Sequence, residues 1–192
     1  MRTVPKFKIH PSTLFLLLSL IILDRTALSL IPILAAAIHE LGHLAVMSLL
    51  GVHIGEIEIT LLGADIKALP YNLGDFGRIS VLSAGALGNF LTAASAALFF
   101  NGNCALFFSA CSVFLGLFNL LPIKTLDGGC IAEVICRRLF PYRCEAVTSA
   151  LSACSLFILW AFAVYLILNF GGNISLLLFC IYMFATLYMR CV

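Results

Sequence analysis

At 192 residues the chain is 62% hydrophobic and only 10% charged, with a mean hydropathy of +1.13. These values exclude an ordinary soluble domain and fit an all-α polytopic membrane protein with room for about six spans. The formal charge of +2 comes from basic residues scattered along the chain, so it marks no nucleic-acid surface.

Residues 1–11 form a basic tail carrying Arg2, Lys6 and Lys8. The apolar segment 12–23 follows, about 18 Å long as a helix and short for a span. No small-x-small cleavage site follows it and a second apolar run begins at once, which disfavours a cleaved signal peptide. The second predicted span is 27–50, about 36 Å long as a helix. Gly51–Arg78 is not a span. Ile57, Ile59 and Leu61 alternate with Glu58 and Thr60, and Gly63-Ala64 can turn the chain back. The pattern predicts a short β-hairpin, Glu56–Leu61 with Asp65–Leu69, whose edge could receive an added strand. On that expectation a proline at Ile57 or Ile59 removes an edge amide.

The third span, 79–100, is small-sided at Ser83, Ala84, Gly85, Ala86, Gly88 and Asn89, which lets a neighbouring backbone come close. The fourth, 104–121, runs into Pro122, where a backbone donor is missing, and Gly128-Gly129 is expected to loosen the chain beyond Asp127. Ile131, Val134, Ile135 and Leu139 then recur opposite Glu133, Arg137 and Arg138, predicting a short interfacial helix that ends at Pro141. The fifth and sixth spans are 145–168 and 174–189, and no regulatory domain is expected after them. With six spans, every Lys and Arg except Arg25 shares one side, so both termini are expected in the cytoplasm. The eight cysteines form no CxxC pair and read as small buried apolar residues.

Chemistry concentrates in the second span, at His39-Glu40-Leu41-Gly42-His43. Residues four apart share a helix face, so both imidazoles can turn to one metal ion. Glu40 projects about 100° away round the helix and reaches a water rather than the metal. Ionisable groups amid an apolar helix cost about 2.5–3.5 kcal/mol each on insertion scales, and in membranes such residues are functional by default. A catalytic zinc takes three protein ligands and leaves one position open. The candidates for the third are Glu56, Glu58, Asp65, Asp75, Asp127, Glu133 and Glu145. Asp127 is favoured because it follows the disturbed end of a span. It could instead cap the following helix. His53 reads as a surface histidine.

Ile38-His39-Glu40-Leu41-Gly42-His43, with Asn119-Leu120-Leu121-Pro122 and Leu126-Asp127-Gly128-Gly129, resembles the site-2 protease family of intramembrane zinc metalloproteases. Ile9-His10-Pro11 and Gly51–Gly63 extend the likeness to the branch of the stage IV sporulation protein FB, over residues 9 to about 140. The resemblance implies that His39, His43 and Asp127 bind one Zn²⁺, and that Glu40 is the catalytic acid/base. It further implies that Asn119 holds the substrate carbonyl or its oxyanion, although Asn119 could simply hydrogen-bond the broken helix. The sequence departs from the family at Gly85-Ala86, where Gly-Pro is usual, at Leu61-Leu62-Gly63-Ala64, where Pro-Phe-Gly-Gly is expected, and at Thr125, often a proline.

The reading that follows is a single protease domain over 1–192 in a bacterial cell membrane. It would cut a peptide bond in or near a transmembrane segment of a membrane protein, from a cytoplasmic-side active site. Its partners would be that substrate, the lipid bilayer and a membrane-protein regulator, with no nucleic acid. The rival readings are a metal transporter, which would spread its ligands along a path, and an inactive relative that holds a client without cutting it.

Overall fold

The computed structural model describes residues 6–9, 28, 30–52, 54–60, 63–68, 73–170 and 180–181. The expected spans 12–23 and 174–189, except for residues 180–181, lie outside these, as does His53. The chain divides into two compact units, Met1–Phe118 and Asn119–Val192.

Among the described residues the first unit holds three strands, β1 (Lys6–Ile9), β2 (Ile54–Thr60) and β3 (Gly63–Ala68), and three helices, α1 (Leu30–Leu49), α2 (Asp75–Phe99) and α3 (Asn103–Asn119), the last ending one residue into the second unit. α1 and α2 are long and apolar enough to cross a membrane, whereas α3 is a shorter apolar helix. α2 begins at Asp75, so the non-spanning segment ends before Arg78.

α1 stops on a glycine. Gly51 takes φ +70°, a conformation that a side chain disfavours, and its N–H bonds Ser48 O at 3.1 Å. The Val52 N–H bonds Met47 O at 2.9 Å, which completes a Schellman motif.

β2 pairs antiparallel with β3, with Ile57 opposite Ile66 and Thr60 opposite Gly63. It also pairs in parallel with β1, with Phe7 opposite Ile57 and Ile9 opposite Ile59. This corrects the edge assigned to Ile57 and Ile59. β2 is the central strand, so both its edges are occupied, and the outer edge of β3 is unpaired among the described residues. The basic tail therefore supplies a strand, tied further by an ion pair between Lys8 and Glu56.

α1 and α2 pack through their small residues. α1 buries Ala35, His39 and His43, a stripe at intervals of four, and turns Leu34, Leu41 and Leu49 outward. α2 buries Val81, Ala84, Gly85, Ala86, Asn89, Ala93 and Ala96 and exposes Leu87, Leu91 and Leu98. Small residues inside and large ones outside suit helices whose outer surface meets lipid. The approach is close: a Cβ added to Gly42 would lie 2.6 Å from the Ala84 carbonyl oxygen. Against α2, α3 places Gly116 beneath the Phe90 ring, and Ser109 donates to Ala93 O at 3.0 Å.

In the second unit α4 (Asp127–Leu139) and α5 (Cys144–Phe170) follow the 120–126 turn. α5 is long and apolar enough to cross a membrane. α4 is shorter and carries Asp127 in its first turn and Arg137 and Arg138 in its last, matching its dipole at both ends. Glu133, one turn before Arg137, pairs with that guanidinium and raises its pKa.

The expectation that Gly128-Gly129 loosens the chain is corrected. Both glycines are helical and buried. A Cβ on Gly128 would strike the Leu120 carbonyl, and one on Gly129 the Ile123 carbonyl. Their role is close approach. The turn is folded onto the start of α4 and held from α5: Ser152 Oγ accepts the Lys124 N–H at 3.0 Å and shares its own proton between Thr148 O at 2.8 Å and Pro122 O at 3.2 Å. Ile123 is wholly buried.

Candidate metal centre

The centre of the first unit is the pair His39 and His43. Both rings are buried, at 5% and 7% exposure, in a helix whose other polar groups are few. Their centroids lie 4.8 Å apart at an interplanar angle of 81°, and the two Nε2 atoms converge to 3.1 Å. A buried imidazole left without partners would cost several kcal/mol in an apolar medium. Both rings avoid that through Nδ1. His43 Nδ1 lies 2.7 Å from Val81 O, and His39 Nδ1 lies 3.3 Å from Asn89 Nδ2.

The His43 contact fixes a proton. A carbonyl only accepts, so His43 carries its hydrogen on Nδ1 and presents a bare Nε2. This is the tautomer a metal ligand needs, with the other ring nitrogen anchored to backbone. The Nε2 atoms of the two rings meet at 3.1 Å, and the Asn89 side-chain amide lies 3.3 Å from His39 Nδ1.

Gly85 makes room for the two rings. A Cβ there would come to 2.5 Å from His43 Nε2 and 2.7 Å from His39 Nε2. Only a hydrogen fits between α2 and the converging nitrogens. Glu40 follows His39 on α1 and is half-buried.

In the second unit Asp127 is the first residue of α4. The N-cap position is Leu126, with no side-chain cap bond, and Asp127 stands beside it in the first turn. Its carboxylate is half-buried, and Gly128 and Gly129 lock the turn behind it. Asn119 closes α3 and is half-buried. Among the other candidates, Asp75 starts α2, Glu133 pairs with Arg137 and Glu145 lies in the first turn of α5. Glu56 pairs with Lys8.

The His39–His43 pair of the first unit and the Asp127 carboxylate of the second are each donors of a kind that a metal ion takes. Two imidazoles and one carboxylate are the ligand type of a catalytic zinc with an open position, and the His43 tautomer fits that use. Three contributors escaped the sequence reading: the Val81 carbonyl, Asn89 as a partner of His39, and Gly85 as the floor under both rings. A polar Asn in a small-sided apolar segment was the available signal for the second. A backbone carbonyl leaves no signal in sequence.

Residues 101–162 match the model of Peptidase family M50. A comparison with curated proteins found no match. Among solved structures, the chain is similar to the site-2 protease from Methanocaldococcus jannaschii, at 22% identity and a TM-score of 0.63, over 95% of this chain and 89% of that one. The chain thus has the fold of a site-2 protease and, across α3, α4 and the first part of α5, the sequence pattern of Peptidase family M50.

Proposed function

We propose that this protein is a zinc-dependent intramembrane endopeptidase that cuts a membrane protein in or beside a transmembrane segment. The observation that carries this reading is the buried His39–His43 pair, with converging Nε2 atoms and both Nδ1 atoms held. The match to Peptidase family M50 and the site-2 protease fold support it. His39, His43 and Asp127 are the zinc ligands. When bound, zinc would supply the activation of water near neutral pH and the polarisation of the scissile carbonyl. Glu40 takes the proton of the attacking water and delivers it to the leaving amine. Asn119 donates a hydrogen bond to the carbonyl oxygen as negative charge gathers there.

Both units contribute to one six-span protease domain of the stage IV sporulation protein FB branch, with both termini and the active site on the cytoplasmic side. The parallel pairing of β1 with β2 supports the count. Strands of one sheet lie on one side of a membrane, yet α1, a helix long enough to cross, separates them in sequence. An even number of crossings between β1 and β2 satisfies both, which favours the six-span count. The outer edge of β3 is the place on this sheet for an unwound substrate strand.

The test combines metal and cleavage. Purified protein should hold one zinc per chain, and His39→Ala, His43→Ala or Asp127→Ala should lose it. Glu40→Gln keeps shape but cannot accept the proton, so zinc should stay while cleavage of a co-expressed single-span membrane protein stops. Asn119→Ala should slow turnover by roughly 10²–10³-fold. Unchanged cleavage by Glu40→Gln would overturn the mechanism, and full zinc in Asp127→Ala would remove that ligand.

A further inference from the structure

Asn89 lies on the buried face of α2 and has no solvent exposure at all. It faces His39 across the helix pair, with Nδ2 at 3.3 Å from Nδ1, and its Oδ1 is buried without a hydrogen-bond partner. An amide oxygen orphaned in such a place is costly. The arrangement has a consequence for the metal. With Nδ2 donating to Nδ1, His39 must keep its hydrogen on Nε2, the atom that converges on His43 Nε2. That tautomer points a proton, not a lone pair, at the position between the rings. A metal ligand needs the opposite arrangement, with the hydrogen on Nδ1 and a lone pair on Nε2.

The amide can supply the other state without moving its backbone. Its two ends are nearly equal in shape, and half a turn about the last side-chain bond exchanges them. Oδ1 then takes the place 3.3 Å from Nδ1 and accepts a hydrogen there. Resting on the zinc reading above, we infer that Asn89 is the positioning residue of the His39 ligand: its side-chain carbonyl holds the Nδ1–H of His39 and so frees the Nε2 lone pair for the cation. His43 has a fixed backbone acceptor in Val81 O, whereas His39 has an acceptor that can turn. Ligand histidines held through the second ring nitrogen follow the same logic, and loss of such a partner weakens metal binding about 10–100-fold.

The test is zinc affinity, measured by chelator competition on purified protein in detergent. Asn89→Asp keeps an acceptor of the same size and removes the donor, so it should retain zinc within about threefold of wild type. Asn89→Leu and Asn89→Ala remove the acceptor and should weaken zinc by about 10–100-fold. Thermal unfolding of each variant shows whether the fold survives, and Ala stands in for Leu if Leu does not. Asn89→Asp weakened as much as Asn89→Ala would overturn the carbonyl role and leave the amide as a donor. Full affinity in Asn89→Ala would overturn any positioning role. A wild-type measurement stands apart from the variants: in zinc-loaded protein with labelled histidines, the His39 Nδ1–H should give an exchange-protected signal, and its absence would overturn the bond. Wild type that takes up no zinc at all would instead overturn the metal reading itself.

Discussion

The α1–α2 pair and the 120–129 segment both depend on glycines pressed against something hard, but the neighbours differ. At Gly85 the neighbours are the far ends of two imidazoles. At Gly128 and Gly129 they are backbone carbonyls of the chain's own turn. A side chain can swing aside at modest cost, whereas a backbone inside a packed turn cannot. The first glycine therefore guards chemistry and the second pair guards folding.

The largest effect should come from Gly129→Ala. The added methyl meets the Ile123 carbonyl, and the loss should be about 3 kcal/mol, the upper end of the overpacking range. Thermal unfolding in detergent should show it, and a wild-type transition would break the comparison. Next is Gly85→Ala. Here the two rings are pushed apart, zinc affinity should fall by about 100-fold, and unfolding in the absence of metal should change little. A variant that unfolds early yet holds zinc normally would reverse the assignment. Smaller again is Ser152→Ala, which strips the Lys124 N–H of its acceptor at 3.0 Å and should cost about 1–2 kcal/mol. The smallest is Glu133→Gln, on the exposed face of α4, where loss of the ion pair with Arg137 should leave thermal unfolding close to that of wild type. An effect as large as that of Ser152→Ala would give the exposed pair a role it has not been assigned.

Much of this was legible from residue types alone. The apolar runs place α1, α2 and α5 within a few residues, because a helix that must avoid polar groups over a bilayer's thickness leaves a long signature. The small residues of the third predicted span foretold the close contact at Gly42 and Ala84. The i, i+4 spacing placed His39 and His43 together. Other features depend on partners distant in the chain. Lys6–Ile9 looks like a charged tail because its strand character comes from β2, on the far side of α1. Gly128-Gly129 was misread for a related reason: glycine signals either freedom or proximity, and only the neighbouring turn decides which. Asn89 stood among the small residues without a role, since its partner is a ring on another helix.

The parallel pairing of β1 with β2 also sets an order of events. Lys6–Ile9 is made early, yet its partner Ile54–Thr60 is not made until all of α1 has been synthesised. A parallel pair also cannot close through a tight turn, so the early strand must wait for the connection to be in place. Non-local pairings of this kind are slow, because the chain between them must first be arranged. β2 and β3 can form a local pair at once, and β1 joins last. Completion of the three-stranded sheet is then a record of assembly: a chain in which α1 has been inserted the wrong way round cannot bring its first strand to its second.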